Sequence, residues 1–214
     1  GAEAPIPFGG PRTIEDEAEL WWARALADID GDGRTDLVVN QDGGHGGWLA
    51  WDETNEDANG WTRHMIAREG PGGGTLAGGD LEVGDIDGDG DADALGMEHP
   101  GEWDEGGAPT TVYWFENPGW QAHRIGRMPA FVKDINIDDF NADGRPDVAA
   151  ITNVGNTFAI FRQDGPDSWV KAHTATIENL HEGMDTGDID GDAAEIIKVF
   201  NELARKRDMI LREV

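Results

Sequence analysis

The chain has 214 residues, no cysteine and a formal net charge of −28, from 44 acidic residues against 16 Lys and Arg. It is long enough to bury a core, but it cannot form disulfides, zinc–thiolate sites or a cysteine nucleophile. A surface this negative repels phosphate backbones and anionic membranes, so nucleic acid is not an expected partner.

Hydrophobic residues make up 38% of the chain, too many for a disordered acidic segment, and 31 glycines point to the short connections of an all-β protein. The opening segment GAEAPIPFGG lacks a charged-then-apolar leader pattern and reads as a mature or trimmed start. No apolar run approaches the roughly 18 residues of a membrane span.

In chain order the sequence repeats. The first unit carries the loop DIDGDGRTD from Asp28, then DLVVN from Asp36, GWLAW at 47–51 and WTRHMI from Trp61. Its strands are expected near 22–28, 36–40, 47–52 and 61–67. The second unit has DIDGDGDAD from Asp85, DALGM from Asp93, TVYWF at 111–115 and WQAHRI from Trp120. The third has DFNADGRPD from Asp139, DVAAI from Asp147, TFAIF at 157–161 and WVKAHT from Trp169. A fourth begins with MDTGDIDGD, its loop starting at Asp188. Loop starts lie 57, 54 and 49 residues apart. Four short strands in about 50 residues is the size of one propeller blade. The expected architecture is therefore all-β, with propeller-like blades of four antiparallel strands, about three and a half blades in residues 1–192.

The loops follow D-x-[DN]-x-D-G-x-x-D. Positions 1, 3, 5 and 9 offer side-chain oxygens, position 7 a backbone carbonyl, and Gly at position 6 allows a sharp turn. Hard oxygens at this spacing suit Ca²⁺ over Mg²⁺ or zinc. The expected ligands are Asp28, Asp30, Asp32, the Arg34 carbonyl and Asp36 in loop one. Loop two offers Asp85, Asp87, Asp89, the Asp91 carbonyl and Asp93. Loop three offers Asp139, Asn141, Asp143, the Arg145 carbonyl and Asp147. Loop four has Asp188, Asp190 and Asp192, but Ala193 replaces the glycine and Ile196 stands at position 9, which makes a weak or empty site. Three calcium sites and a doubtful fourth are expected. The alternative is that the loops are metal-free Asx-turns.

These loops resemble the FG-GAP/VCBS repeats of integrin α-subunit propellers and many secreted bacterial proteins, over roughly residues 20–192. EF-hands and dockerins share the Asp loop but flank it with helices, whereas β-like runs flank it here. The resemblance implies that loops one to three each join the first two strands of a blade and that their calcium is structural. It spans adhesion modules, lectin-like proteins and propeller domains of polysaccharide-active enzymes, so it does not choose a function.

Residues 193–214, AAEIIKVFNELARKRDMILREV, contain no Gly or Pro. Asp192 and Glu195 make a capping-box pair, and Ile196, Phe200, Leu203, Ile210 and Val214 share a helical face. A C-terminal helix is expected, for oligomerisation or as a fusion segment. The rival reading keeps EIIKVF as a strand of the fourth blade.

Turns on the face opposite the loops carry His45, Glu98, His99, Glu102, Trp103, Asp104, His181 and Glu182. His45, Glu98, His99, Trp103 and His181 are the candidate ligand-binding residues: Trp103 to stack on a sugar ring, the acids to accept hydroxyl hydrogen bonds, and His and Glu to serve as base and acid in a lyase. The alternative is that the whole group is an acidic, solvated loop. Trp61, Trp120 and Trp169 are expected in the core between blades, and His64, His123 and His173 at blade edges. No nucleophile elbow, phosphate-cradling loop or H-E-x-x-H motif occurs. The leading expectation is a secreted or cell-surface, calcium-stabilised module for binding or self-assembly, without catalysis. Its partners would be glycans, surface proteins or further copies, joined through open blade edges or the helix. The rival is a domain or fragment of a polysaccharide-active enzyme such as a lyase.

Overall fold

After each of the first three Asp loops comes a run rich in β-branched and small apolar residues, and each run forms a strand buried along its whole length. In the computed structural model, which describes residues 21–41, 46–56, 60–100, 107–177, 183–187 and 196–199, these are β2 (Asp36–Gln41), β7 (Asp93–His99) and β11 (Asp147–Thr152). A strand covered on both faces must sit inside a stack of sheets.

The first sheet is an antiparallel meander of β1 (Trp21–Ala27), β2, β3 (Leu49–Thr54) and β4 (Trp61–Ala67). The second contains β5 (Thr75–Leu76), β6 (Val83–Gly84), β7, β8 (Thr110–Glu116) and β9 (Gln121–Met128). Here β5 and β6 both pair with β7, so the innermost strand is split in two. The third runs β10 (Val132–Asp138), β11, β12 (Thr157–Gly165) and β13 (Ser168–Thr176). A last pair, β14 (Met184–Gly187) and β15 (Ile196–Val199), begins a fourth. The expected four-strand unit is thus present three times, close to the expected boundaries.

The cores lie between sheets. Val38, Leu49 and Trp51 of the first sheet pack with Leu76, Ala94 and Phe115 of the second. Leu95, Val112 and Trp114 of the second pack with Val132, Ile135, Val148 and Phe161 of the third. Phe140, Ile151 and Phe158 of the third pack with Met184 of β14. Face-to-face stacking of successive meanders is the propeller-like arrangement.

Two expectations change. Ile196–Val199 pairs antiparallel with Met184–Gly187, so the helix over 193–214 does not run through these four residues. Two isoleucines and a valine suit a pleated ladder, and tertiary pairing overrides helical periodicity. Residues 193–195 and 200–214 lie outside the described residues.

The tryptophans also trade places. Trp61, Trp120 and Trp169 are half-buried and only flank the cores. Among the described residues the buried tryptophans are Trp51 and Trp114, one strand earlier. Each carries the repeat histidine on its face: His64 stacks on Trp51 and His123 on Trp114, both with ring centroids 4.3 Å apart. His64 also reaches Glu53 (2.8 Å), and His123 reaches Glu116 (2.8 Å) and Asp167 of the third sheet (2.5 Å). The third unit has one more residue between Trp169 and His173. A bulge on the β12–β13 ladder absorbs it, so His173 still lies opposite Ile160, as His64 lies opposite Trp51.

Candidate metal centre

Each of the first three Asp loops links the first two strands of its sheet and is shaped by its own carboxylates. The Asp at position 1 gathers two backbone donors from across the turn. Asp28 accepts from Asp32 N (3.1 Å) and Gly33 N (2.9 Å), Asp85 from Gly88 N (2.8 Å) and Gly90 N (3.1 Å), and Asp139 from Asp143 N (3.0 Å) and Gly144 N (2.7 Å). The position-6 glycines need left-handed backbone, with φ of 86° at Gly33, 101° at Gly90 and 84° at Gly144.

These turns bring carboxylates together. Ligand oxygens of Asp28, Asp30 and Asp32 lie within 4.8 Å of one another, as do those of Asp85, Asp87 and Asp93. Among the described residues loop three makes no such triad. There Asn141 turns its amide nitrogen onto Asp147 Oδ2 (3.0 Å). In loops one and three the position-7 arginine side chain joins the site. Arg34 Nε donates to Thr54 O (2.9 Å) and pairs with Asp32, while Arg145 Nε donates to Gln163 O (3.0 Å) and pairs with Asp143. Asp89 and Asp91, by contrast, stay in their loop, with Asp91 N donating to Asp89 Oδ1 (2.9 Å).

The position-9 carboxylates are different in kind. Asp36, Asp93 and Asp147 are at most 1% exposed. Each brackets two elements. Asp36 accepts from Ile29 N (3.1 Å) and Thr54 N (3.0 Å), and Asp93 from Ile86 N (2.9 Å) and Asn117 N (2.9 Å). Asp147 accepts from Gln163 N (2.8 Å). The bracket then crosses to the neighbouring sheet. Asn117 Nδ2 donates to Ile29 O (2.7 Å), and Gln163 Nε2 donates to Ile86 O (2.8 Å). A hydrogen-bond relay therefore runs from Asp36 through Ile29, Asn117, Asp93, Ile86 and Gln163 to Asp147. Position 9 was legible in the sequence; Asn117 and Gln163 were not, because their partners are 88 and 77 residues away.

The model of the FG-GAP-like repeat matches residues 17–96 and 139–194. The chain belongs to the FG-GAP-like repeat family. Among curated proteins, none matches it significantly. Of solved structures, it resembles the exotype rhamnogalacturonan lyase YesX, with 14% identity and a TM-score of 0.51 over 92% of this chain and 42% of that one. It also resembles the V. cholerae biofilm matrix protein Bap1, with 19% identity and a TM-score of 0.45 over 83% of this chain and 24% of that one. This FG-GAP chain thus spans less than half the length of either neighbour. The first likeness supports the fold.

Burial makes the bracket carboxylates reluctant anions. It is the largest influence on Asp36, Asp93 and Asp147 and outweighs their backbone hydrogen bonds; nearby loop aspartates push the same way. Asp93 and Asp147 are pushed up to about 6, and Asp36 upward. Asp87 is raised too, first by burial and then by neighbouring acids. A hard divalent cation would supply the missing positive charge, and the donors present, carboxylate and carbonyl oxygens, are those such ions take.

The other candidates scatter. His45, Glu102, Trp103, Asp104, His181, Glu182, Asp188, Asp190 and Asp192 lie outside the described residues. Glu98 and His99 end β7 and are buried, not set in an exposed turn. Glu98 accepts from Gly74 N (2.8 Å) and supports the Gly70–Gly74 turn. His99 is 1% exposed, edge-on to Phe131 at 5.8 Å, with neither ring nitrogen hydrogen-bonded. Among the described residues no helix is long and apolar enough to cross a membrane.

Two outcomes follow. Asn117→Ala should destabilise the fold by about 1–3 kcal/mol, since it leaves the buried Ile29 carbonyl unpaired; chemical denaturation measures it. The pH response should invert with metal. A folded-state pKa raised from 3.8 to about 6, as at Asp93 and Asp147, contributes stability that is complete below 3.8 and lost as pH rises through about 6. In chelator the melting temperature should therefore rise as pH falls from about 7 to about 5. In saturating calcium it should fall over the same range, because protons compete for the ligand oxygens.

Proposed function

We propose that this FG-GAP chain is a calcium-stabilised, propeller-like module that works outside the cytoplasm as a binding or assembly element, without catalysing a reaction itself. The observation that supports this reading is the pair of carboxylate triads on successive sheets, the second of which includes the buried bracket Asp93. Calcium would be held by Asp28, Asp30, Asp32, Asp36 and the Arg34 carbonyl in loop one. Loop two would use Asp85, Asp87, Asp89, Asp93 and the Asp91 carbonyl. Loop three would use Asp139, Asn141, Asp143, Asp147 and the Arg145 carbonyl once Asn141 turns its oxygen inward. The ion would fix the loop and lower the cost of ionising the bracket beneath it. Sites of this kind in extracellular modules fill at about 0.1–1 mM calcium, which favours a secreted or surface location. Glycans, surface proteins and second copies of the chain are the partners in this reading.

A second reading takes its support from the likeness to a rhamnogalacturonan lyase. The chain would then be the propeller part of a longer polysaccharide-active enzyme.

Thermal melts in calcium and in excess chelator, followed by incubation with pectic polysaccharides, test both. Each site held at about 100 times its Kd adds about 2.7 kcal/mol. In a chain of this size that raises Tm by at least about 5 °C. Superimposable melts would refute a structural role for calcium. Release of new unsaturated ends would replace the module reading with the lyase reading.

A further inference from the structure

The repeat histidines are not held alike at the junctions between sheets. His64, on β4, reaches one acid, Glu53 of its own sheet, and its side chain is 41% exposed. His173, on β13, lies beside Phe158 with ring centroids 6.0 Å apart, and among the described residues it makes no ion pair. His123, on β9, is only 8% exposed and is gripped at both ring nitrogens. Its Nε2 meets Glu116 Oε2 (2.8 Å), at the end of β8 in its own sheet. Its Nδ1 meets Asp167 Oδ1 (2.5 Å), in the turn between β12 and β13 of the third sheet. The matching turn of the second sheet, residues 117–120, contains no acid and offers His64 no counterpart of Asp167.

The chemistry of these contacts sets the proton count. Ionised carboxylates only accept hydrogen bonds, and a neutral imidazole has a single N–H. Two such contacts call for the imidazolium. The ring also lies flat on the indole of Trp114, with centroids 4.3 Å apart and planes at 18°, and an aromatic face favours a cation above it. Among the described residues, Glu116 from β8 and Asp167 from the β12–β13 turn are the acids that face the ring. The neighbouring cations turn elsewhere. Arg124, next along β9, bears on Tyr113, and Lys171, on the strand that packs against β9, donates to Arg127 O (2.5 Å). Burial is the largest single influence on His123 and pulls its pKa down. The hydrogen bonds and charges of Asp167 and Glu116 together outweigh it and carry the ring above its ordinary 6.5.

Asp167 belongs to a turn with a second tie to the same place. Pro166, beside it, offers its carbonyl to one indole from each sheet, Trp114 Nε1 of the second (3.3 Å) and Trp169 Nε1 of the third (3.0 Å). The bond to Trp114 is long, so the histidine contact is the shorter of these two links from the turn to the second sheet. We propose that His123 is a proton-operated latch between the second and third sheets: protonated, it ties Glu116 to Asp167, and on losing its proton it releases the β12–β13 turn. The neutral ring aims one nitrogen lone pair at a carboxylate, which turns that contact from attraction to repulsion. Asp167 is 77% exposed and is the partner free to swing into water. A folded-state pKa raised above 6.5 contributes stability that is complete below 6.5 and lost as pH rises through the raised midpoint. The junction between the second and third sheets is thus the one that loosens in mildly alkaline solution.

Nuclear magnetic resonance of the full chain from about pH 5.5 to about 8.5 tests the latch. Calcium is kept saturating throughout, because Glu116 also acts on Asp87 of loop two. His123 should titrate above 6.5, with both ring nitrogens protonated on the acid side. In Asp167→Asn the midpoint should fall. Hydrogen exchange at the Trp114 indole N–H, corrected for the intrinsic rate at each pH, should quicken by about threefold to fivefold as the natural ring loses its proton, the scale of one partly exposed ion pair. The same indole should show no such step in Asp167→Asn. Asp167→Ala, which removes the acceptor as well as the charge, should leave it at the loosened level at every pH. Because Asp167 is exposed, neither substitution disturbs the core. A His123 midpoint that is the same in the natural chain and in Asp167→Asn would overturn the proposal, and so would Trp114 protection that does not follow the charge of His123.

Discussion

A carboxylate with almost no solvent exposure governs this structure. Asp36, Asp93 and Asp147 each close an Asp loop, begin a central strand and accept a backbone N–H at the end of the third strand. Hydrogen bonds to a charged group are each worth about 1.5–3 kcal/mol, but only if the group is charged. Burial works against that charge. The loop aspartates add to the conflict, since their negative field falls on the same buried group. A cation bound above it would resolve the conflict by favouring the ionised bracket and gathering the loop around itself, which would make metal binding and local folding one equilibrium.

The brackets also join sheets. Asn117 and Gln163 each use their backbone N–H within their own sheet and their side-chain amide toward the loop of the preceding one. The corresponding Thr54 turns its hydroxyl to Thr35 O in its own sheet (2.7 Å). What happens in one loop is therefore felt at the next. The apolar faces supply most of the stacking energy but little direction. The amide relay adds direction, because a sheet rotated or slid by a few ångströms would leave buried carbonyls unpaired.

Much of this was legible in the sequence, for physical reasons. Strand number and loop chemistry repeat locally, so nine-residue motifs and a period of about fifty reveal them. Trp61 and Trp120 drew notice because each precedes a histidine at fixed spacing, yet the rings that receive those histidines belong to the neighbouring strand. Cross-strand partners depend on register, which spacing along one strand does not report. Asn117 and Gln163 join residues far apart in the chain, so no local pattern marks them. Ile196–Val199 shows the opposite failure. A local helical pattern lost to pairing with β14, which single-sequence periodicity does not contain.

The most direct test of the coupling is residue-resolved hydrogen exchange of Asp93→Asn against the natural chain in calcium. The bracket account predicts faster exchange at Asn117 and Ile86, and also at Thr54 and Ile29 of the first sheet and at Gln163 of the third. Loss of protection confined to the second sheet, with its neighbours unchanged, would contradict it.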